Sequence, residues 1–215
     1  MARKRAIAPR RAAKPVGKTR RSPTRKLGPL RPSDLVLLRP YRIDWWKLLF
    51  PRRCLNYNRQ DQQQTNWCWA AVSGAVAAYY NASTTWTQCA IADAELGRSD
   101  CCGAGASGAC NVPWYLSSAL SRVGHLASFA SGTLTFAIVQ SEINAGRPVC
   151  ARIGWSGGGG HFVALTCWYR NLLTGTQSVR VDDPWPAYGR SVWLFSAFST
   201  AYQGSGSWTH SYRTA

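Results

Sequence analysis

The sequence predicts an α+β fold in which a helical half packs against an antiparallel β-sheet. Between residues 68 and 145, apolar side chains recur mainly at helical spacing. After Pro148 the pattern changes to short apolar segments, which clusters rich in Gly, Pro, Asn and Ser separate. Helices first and strands afterwards are typical of α+β domains, and the chain has no visible internal repeat.

Four segments carry the helical pattern. The clearest is "CWAAVSGAVAAYY", which begins at Cys68, has an alanine-rich apolar face and is ended by Asn81. The other three are 86–97, 114–123 and 135–145. Gly146 and Pro148 stop the last of them, since neither continues a helix well. The polar residues 54–66 predict a coil that leads into the first helix.

Five segments carry the strand pattern. They are 148–155, 161–170, 178–183, 191–195 and 207–213. The intervening sequences "SGGGG", "NLLTGTQ", "PWPAYG" and "YQGSG" predict turns. Because each connection is short, we expect neighbouring strands to pair antiparallel.

Positive charge is concentrated at the N-terminal end. Residues 1–53 contain 17 of the 26 Lys and Arg residues but only two of the nine acidic residues, so their net charge is +15. We interpret 1–33 as a disordered basic tail, 34–53 as a strap or linker, and 54–215 as the folded domain. The tail could contact nucleic acid or an anionic surface electrostatically.

The N-terminal residues 1–53 also give information on the cellular location of the protein. The tail lacks the apolar run of a secretory signal, and 34–53 is too short and too charged to span a membrane. Delivery by a non-standard route and a cytoplasmic location both stay open.

Eight cysteines are many for 215 residues; they are Cys54, Cys68, Cys89, Cys101, Cys102, Cys110, Cys150 and Cys167. Those in "DCCGAGASGACN" could be disulfide partners, with Cys89 as a further candidate. Free thiols are the alternative. The spacing is not that of paired CxxC units, so it does not predict a zinc site.

One cysteine lies where a nucleophile would be activated. Cys68 falls at the start of the predicted helix, where unpaired N–H groups and the helix dipole favour a thiolate. Gln62, six residues upstream, could donate a side-chain N–H to an oxyanion. Gln63 is the alternative donor.

A base and its orienting group are found by sheet geometry. His161 opens a predicted strand after four glycines, and the chain then returns towards Asp182 and Asp183. A turn centred near residue 172 would place Asp183 directly opposite His161, where its carboxylate could fix the imidazole tautomer. A register one residue different would select Asp182.

Taken together, these blocks resemble a papain-like cysteine peptidase, in the compact group of bacterial effector and bacteriocin-processing peptidases that includes AvrRpt. The blocks are "QQQTNWCWAA", "GGGGHFVAL" and "VRVDDPW", within residues 56–200. The resemblance implies a papain-like fold over 54–215, with Cys68 as nucleophile, His161 as base, Asp183 as its orienting group and Gln62 in the oxyanion hole. It implies no cofactor or metal, a protein or peptide substrate, and a monomer.

The leading hypothesis is therefore peptide-bond hydrolysis through a thioester acyl-enzyme. One alternative is an acyltransferase or transglutaminase-type enzyme on the same triad, with an amine accepting the acyl group. The other is a non-catalytic peptide-binding module, in which tryptophans line a groove. The tryptophans in question are Trp67, Trp69, Trp155 and Trp185.

Overall fold

The computed structural model describes residues 44–215. The helices are α1 (Trp45–Leu49), α2 (Cys68–Tyr80), α3 (Gln88–Leu96), α4 (Cys101–Ala104), α5 (Leu116–Arg122), α6 (Phe136–Asn144) and α7 (Phe195–Ala201). The strands are β1 (Arg52–Cys54), β2 (Leu126–Ser131), β3 (Val149–Trp155), β4 (Gly160–Arg170), β5 (Gln177–Asp182), β6 (Arg190–Leu194) and β7 (Gly206–Thr214). The predicted tail, 1–33, and the first part of the predicted strap, 34–43, lie outside these residues.

The strands form one antiparallel sheet. Their order is β2-β7-β3-β4-β5-β6, and β1 pairs with the C-terminal part of β4, beyond the residues that pair with β3. The central strands β3 and β4 are buried along most of their length, as expected for strands covered on both faces. The α+β prediction is confirmed.

Helix α2 is the centre of the helical half. It contacts α3, α5 and β4, and its first ten residues are all buried. Small residues make this possible, because alanine and glycine let neighbouring elements approach closely. Ser73 satisfies its buried hydroxyl by donating to the carbonyl of Trp69 at 2.7 Å.

Three disulfides form among residues 44–215: Cys54–Cys167, Cys89–Cys102 and Cys101–Cys110. The last two agree with the predicted pairing of the loop cysteines with each other and with Cys89. The first joins β1 to β4 and was not predicted. Cys68 and Cys150 are free and buried.

Residues 44–53 lie against the hairpin formed by β4 and β5. The backbone N–H of Leu172 donates to the carbonyl of Leu49 at 2.9 Å, and that of Arg170 donates to Pro51 at 2.9 Å. The sheet thus begins at Arg52, two residues before the predicted boundary at 54. Within 44–215, no helix is both long enough and apolar enough to span a bilayer.

Candidate active site

Cys68 is the first residue of α2, and its side chain is buried, with 8% of the residue exposed. Its backbone N–H points out of the first turn and has no partner within the helix. The positive end of the helix dipole lies at the same place. Sequence and structure therefore agree on where this thiol sits.

The tryptophans on either side of Cys68 anchor the start of the helix. The indole N–H of Trp67 donates to the carbonyl of Cys110 at 2.8 Å, and that of Trp69 donates to Val112 at 3.0 Å. The two residues are 1% and 0% exposed. Both rings are packed in the core and are not exposed in an open groove, although Trp69 also borders the cavity that contains Cys68.

The disulfide-closed loop 101–112 holds the segment before Cys68. Asn66 donates its backbone N–H to Asn111 Oδ1 at 2.9 Å and its Nδ2 to the Asn111 carbonyl at 2.8 Å. Asn111 Nδ2 in turn donates to Thr65 Oγ1 at 2.8 Å. Gly105 lies very close to the Cys101 carbonyl within this loop. Only a residue without a Cβ fits there, since a Cβ would lie 2.9 Å from the carbonyl oxygen. The loop is a support for the thiol-bearing segment.

The same loop contains the one group of potential metal ligands among residues 44–215, formed by Asp100, Cys101 and Cys110. The sulfurs of Cys101 and Cys110 form a disulfide with each other. Neither sulfur is therefore available as a thiolate ligand.

His161 lies at the start of β4 and is 7% exposed. Its Nε2 is 2.7 Å from Asp183 Oδ1, which leaves Nδ1 as the other ring nitrogen. Burial by itself would lower the pKa of His161, but the interactions with Asp183 and Cys68 outweigh it and raise the pKa to about 9. The imidazole is thus held between a thiol and a carboxylate.

The Asp183 carboxylate is fully buried and has a partner on each oxygen. Besides His161, Oδ1 accepts the backbone N–H of Trp185 at 2.7 Å, and Oδ2 accepts the hydroxyl of Tyr202 at 2.7 Å. These donors fix the carboxylate plane and stabilise its negative charge.

Asp182 has different partners. It accepts hydrogen bonds from Arg190 Nε at 2.6 Å and from the Thr166 hydroxyl, and Arg180 Nε lies 3.3 Å away. Its charge is neutralised within the sheet, away from the imidazole. Of the two aspartates that the sequence left open, Asp183 is the one that contacts His161.

The predicted register between β4 and β5 is wrong by two residues. Asp182 pairs with Ala164, and the ladder is shifted between Leu165 and Cys167 by a bulge at Thr166. In this register the position opposite Asp183 is 163, and His161 is its diagonal neighbour. A shift by an even number of residues keeps the side chains of His161 and Asp183 on one face of the sheet. The two can therefore be in contact although the predicted register is wrong.

Gln62 is buried and points inwards, whereas Gln63 is exposed. The Gln62 Nε2 donates to the carbonyls of Gln64 and Thr65, both at 2.8 Å. Its Oε1 is buried and accepts no hydrogen bond from residues 44–215. The side chain thus lies beside the thiol-bearing segment with both amide N–H groups already engaged.

The sequence matches a family model over residues 50–203, and the family is described as papain-like cysteine protease AvrRpt2. The chain belongs to this family. It is a papain-like cysteine protease, and its membership implies a protein or peptide substrate. No sequence among curated proteins matches it.

The fold of this AvrRpt2-type peptidase also occurs in solved structures. One is a protein from Bacillus anthracis described as a C39-like peptidase. It is 17% identical, has a TM-score of 0.50, and aligns over 75% of this chain and 96% of its own. At that identity the likeness shows a common fold.

Cavities lie next to Cys68 and next to the segment before it. One of about 310 Å³ is bordered by Cys68 itself and by Trp114, Arg152 and Phe162. It shares Trp114, Arg152 and Phe162 with a larger cavity of about 700 Å³. Another, of about 300 Å³, is lined by Gln62 to Thr65 and Trp185 to Ala187.

Two residues of the site were missed by the sequence reasoning. Tyr202 follows α7, a helix that was not predicted, and no local pattern distinguishes it from the other tyrosines. Asn111 lies in the cysteine-rich loop, where the sequence pattern concerns only the cysteines. Neither residue has a spacing to the motif residues that would have indicated its contact.

Proposed function

We propose that this peptidase hydrolyses peptide bonds through a thioester acyl-enzyme, with Cys68, His161 and Asp183 as its triad. One observation carries the proposal. A single imidazole has one nitrogen 2.7 Å from a buried carboxylate and also interacts with a thiol at a helix N-terminus, and both groups raise its pKa. Nucleophile, base and orienting group in this order form the arrangement used in thiol catalysis.

The first step is proton transfer from Cys68 to His161. Because the pKa of His161 is raised to about 9, the imidazole holds the proton that it takes from the thiol at neutral pH, which supports the proposed ion pair. The thiolate attacks the carbonyl carbon of the scissile bond and forms a C–S bond. The negative charge moves to the carbonyl oxygen.

The C–N bond then breaks as His161 gives its proton to the leaving amine. A water molecule, deprotonated by the now neutral imidazole, attacks the thioester. The C–S bond breaks, the carboxylic acid leaves and the Cys68 thiol is restored. Asp183 keeps the imidazole in one tautomer throughout and stabilises its charged form.

The oxyanion is proposed to be stabilised by the backbone N–H of Cys68 and by the Gln62 amide. Gln62 has both N–H groups on carbonyls. One of these bonds must therefore be exchanged for the oxyanion during the reaction. A negatively charged acceptor forms the stronger hydrogen bond, which favours this exchange.

Labelling with a peptide that carries a thiol-directed electrophile tests the proposal. Cys150 provides a matched control, because it is the other free cysteine of residues 44–215 and its burial raises its pKa to about 12. We expect the wild type and Cys150→Ala to be labelled and Cys68→Ala to remain unlabelled. Equal labelling of Cys68→Ala and wild type would overturn the assignment.

The wild type and these two variants also distinguish hydrolysis from acyl transfer. Peptide cleavage is followed by mass spectrometry with and without an added primary amine. Hydrolysis predicts a product with a free carboxylate in both reactions. An amide product that replaces it in the presence of the amine would favour the acyltransferase.

A further inference from the structure

One arginine lies in the wall of the cleft next to the candidate nucleophile. Arg152 of β3 borders both the cavity of about 310 Å³ that contains Cys68 and the larger one of about 700 Å³. Its guanidinium donates to Thr209 Oγ1 at 3.0 Å and to the Gly159 carbonyl at 3.4 Å. Both acceptors are neutral.

The positive charge of Arg152 is not balanced nearby. Within residues 44–215, no carboxylate lies within 4.0 Å of its guanidinium. No Asp or Glu lines either cavity. This contrasts with Arg180 and Arg190 of the same sheet, which both pair with Asp182. A guanidinium has five N–H groups, so several remain for a ligand.

Gly160 lies close to the guanidinium of Arg152. A Cβ at Gly160 would lie 2.6–2.8 Å from the Nη2, Cζ and Nε atoms of Arg152. The guanidinium therefore packs against the Gly160 backbone, one residue before His161. A larger residue at this position would displace the arginine side chain.

The surrounding walls are aromatic. The side chains are Trp114, Tyr115, Phe129, Phe162 and Tyr212. Apolar walls lower the local dielectric and strengthen the attraction between a cation and an anionic ligand. The cavity that is bordered by Trp185 has no charged lining residue. The two cavities thus differ in charge.

Resting on the proposed function, we infer that Arg152 selects substrates with an acidic side chain. The Asp or Glu carboxylate binds the guanidinium in the cavity that Cys68 and Arg152 both border, next to an apolar side chain held by the aromatic walls. A guanidinium and a carboxylate match in geometry and form charge-assisted hydrogen bonds. One arginine balances a carboxylate but not the nearly double charge of a phosphate.

A peptide library read by mass spectrometry tests the inference. The peptides carry amidated C-termini, so that only side-chain carboxylates are present. The wild type is expected to enrich Asp or Glu at one position near the cleaved bond. For a matched pair of peptides with Glu or Gln at that position, we expect about tenfold higher kcat/KM for Glu, and a smaller ratio at high salt.

Three variants make the test specific. Arg152→Gln keeps a donor for Thr209 and should bring the Glu-to-Gln ratio close to one. Arg152→Glu should instead favour Lys or Arg at the same position. Arg170→Gln removes an equal charge at the opposite end of β4, and it should leave the ratio as in the wild type. Using a ratio within each variant cancels any general loss of folded enzyme.

The outcomes separate the two proposals. Cleavage that depends on Cys68 but shows no acidic preference would overturn the role of Arg152 alone. The same holds if the preference persists in Arg152→Gln. Absence of any cleavage that depends on Cys68 would overturn the proposed function as well.

Discussion

Tyr202 donates its hydroxyl hydrogen to Asp183 Oδ2 at 2.7 Å, at the end of the carboxylate opposite to His161. Both residues are fully buried. Burial together with the negative charge of Asp183 raises the pKa of Tyr202, so the phenol stays a donor. The contact links the short helix α7, outside the sequence motifs, to the group that orients the imidazole.

Tyr202→Phe removes this donor and keeps the ring. We expect an unfolding free energy lower by about 1–3 kcal/mol, since a buried carboxylate oxygen loses its partner. The carboxylate then interacts more strongly with the imidazolium, so the alkaline limb of activity should move to higher pH. Looser positioning should lower kcat roughly tenfold. Urea unfolding and a pH–rate profile measure these effects.

Tyr188→Phe is the matched control, because Tyr188 is exposed. It should match the wild type in all three measurements. A loss of stability in Tyr202→Phe with an unchanged pH profile would reduce Tyr202 to a packing role.

The paired aspartates allow a test with two separate readouts. Asp183→Asn should lower kcat/KM by at least about 10²-fold, because the imidazole loses its anionic partner. Asp182→Asn leaves Arg180 and Arg190 without their carboxylate, and we expect it to reduce the unfolding free energy by about 3 kcal/mol. Its kcat/KM, corrected for folded enzyme, should stay near that of the wild type. The reverse assignment of effects would contradict the geometry.

Parts of the fold with strong local patterns were predictable. Helix α2 begins at Cys68 and β4 begins at Gly160, within one residue of the predicted starts. Both carry long apolar runs whose periodicity is set by burial. Because the site residues lie at the ends of these two elements, the motif blocks could be placed correctly in space.

Features that depend on tertiary contacts were not predictable. Helix α7 has only seven residues, lies in the strand-rich half and has no side-chain cap, so nothing in its sequence marks it. Strand β2 is mostly exposed and lacks a buried alternating pattern. The bulge at Thr166 accompanies a network of Asp182 and Arg180 that joins two strands. Periodicity along one strand contains no information on such a network.

Gln62→Ala removes one proposed oxyanion donor. We expect a 10²–10³-fold decrease in kcat with little change in KM, because the interaction forms in the transition state. Gln63→Ala is the control, since the exposed Gln63 uses its backbone N–H, not its side chain, to contact Gln88. It should retain the wild-type rate. Equal rates for the two variants would remove Gln62 from the mechanism.

The Cys101–Cys110 disulfide should matter to activity as well as to stability. The double variant Cys101→Ala/Cys110→Ala is expected to lose about 2–4 kcal/mol of unfolding free energy. It should also lower kcat, because the loop that carries Asn111 no longer holds the segment before Cys68. Denaturant unfolding measures the free energy of unfolding. Steady-state kinetics, under conditions that keep the protein folded, measure kcat.

Cys54→Ala/Cys167→Ala is the matched comparison. This bridge joins β1 to β4, away from His161, which opens that strand. We expect a comparable loss of stability with kcat preserved. If both double variants lost activity equally, the loop would have no special relation to the nucleophile.

The pH dependence of stability and activity follows from the pKa of His161. Its pKa in the folded protein is raised from 6.5 to about 9. The protonated imidazole therefore stabilises the fold, fully below about pH 6.5, and this contribution is lost as the pH rises through about 9. Activity should fall over the same range, because the thiolate–imidazolium pair loses its proton.

Urea unfolding of wild type and His161→Gln between pH 6 and pH 10 measures the stability part. The difference between the two proteins should shrink as the pH increases. Asp183→Asn should move the alkaline limb of kcat/KM to lower pH, because the carboxylate that raises the pKa is gone. A stability difference that is constant across this range would show that His161 does not titrate there, and the thiolate–imidazolium pair would lose its support.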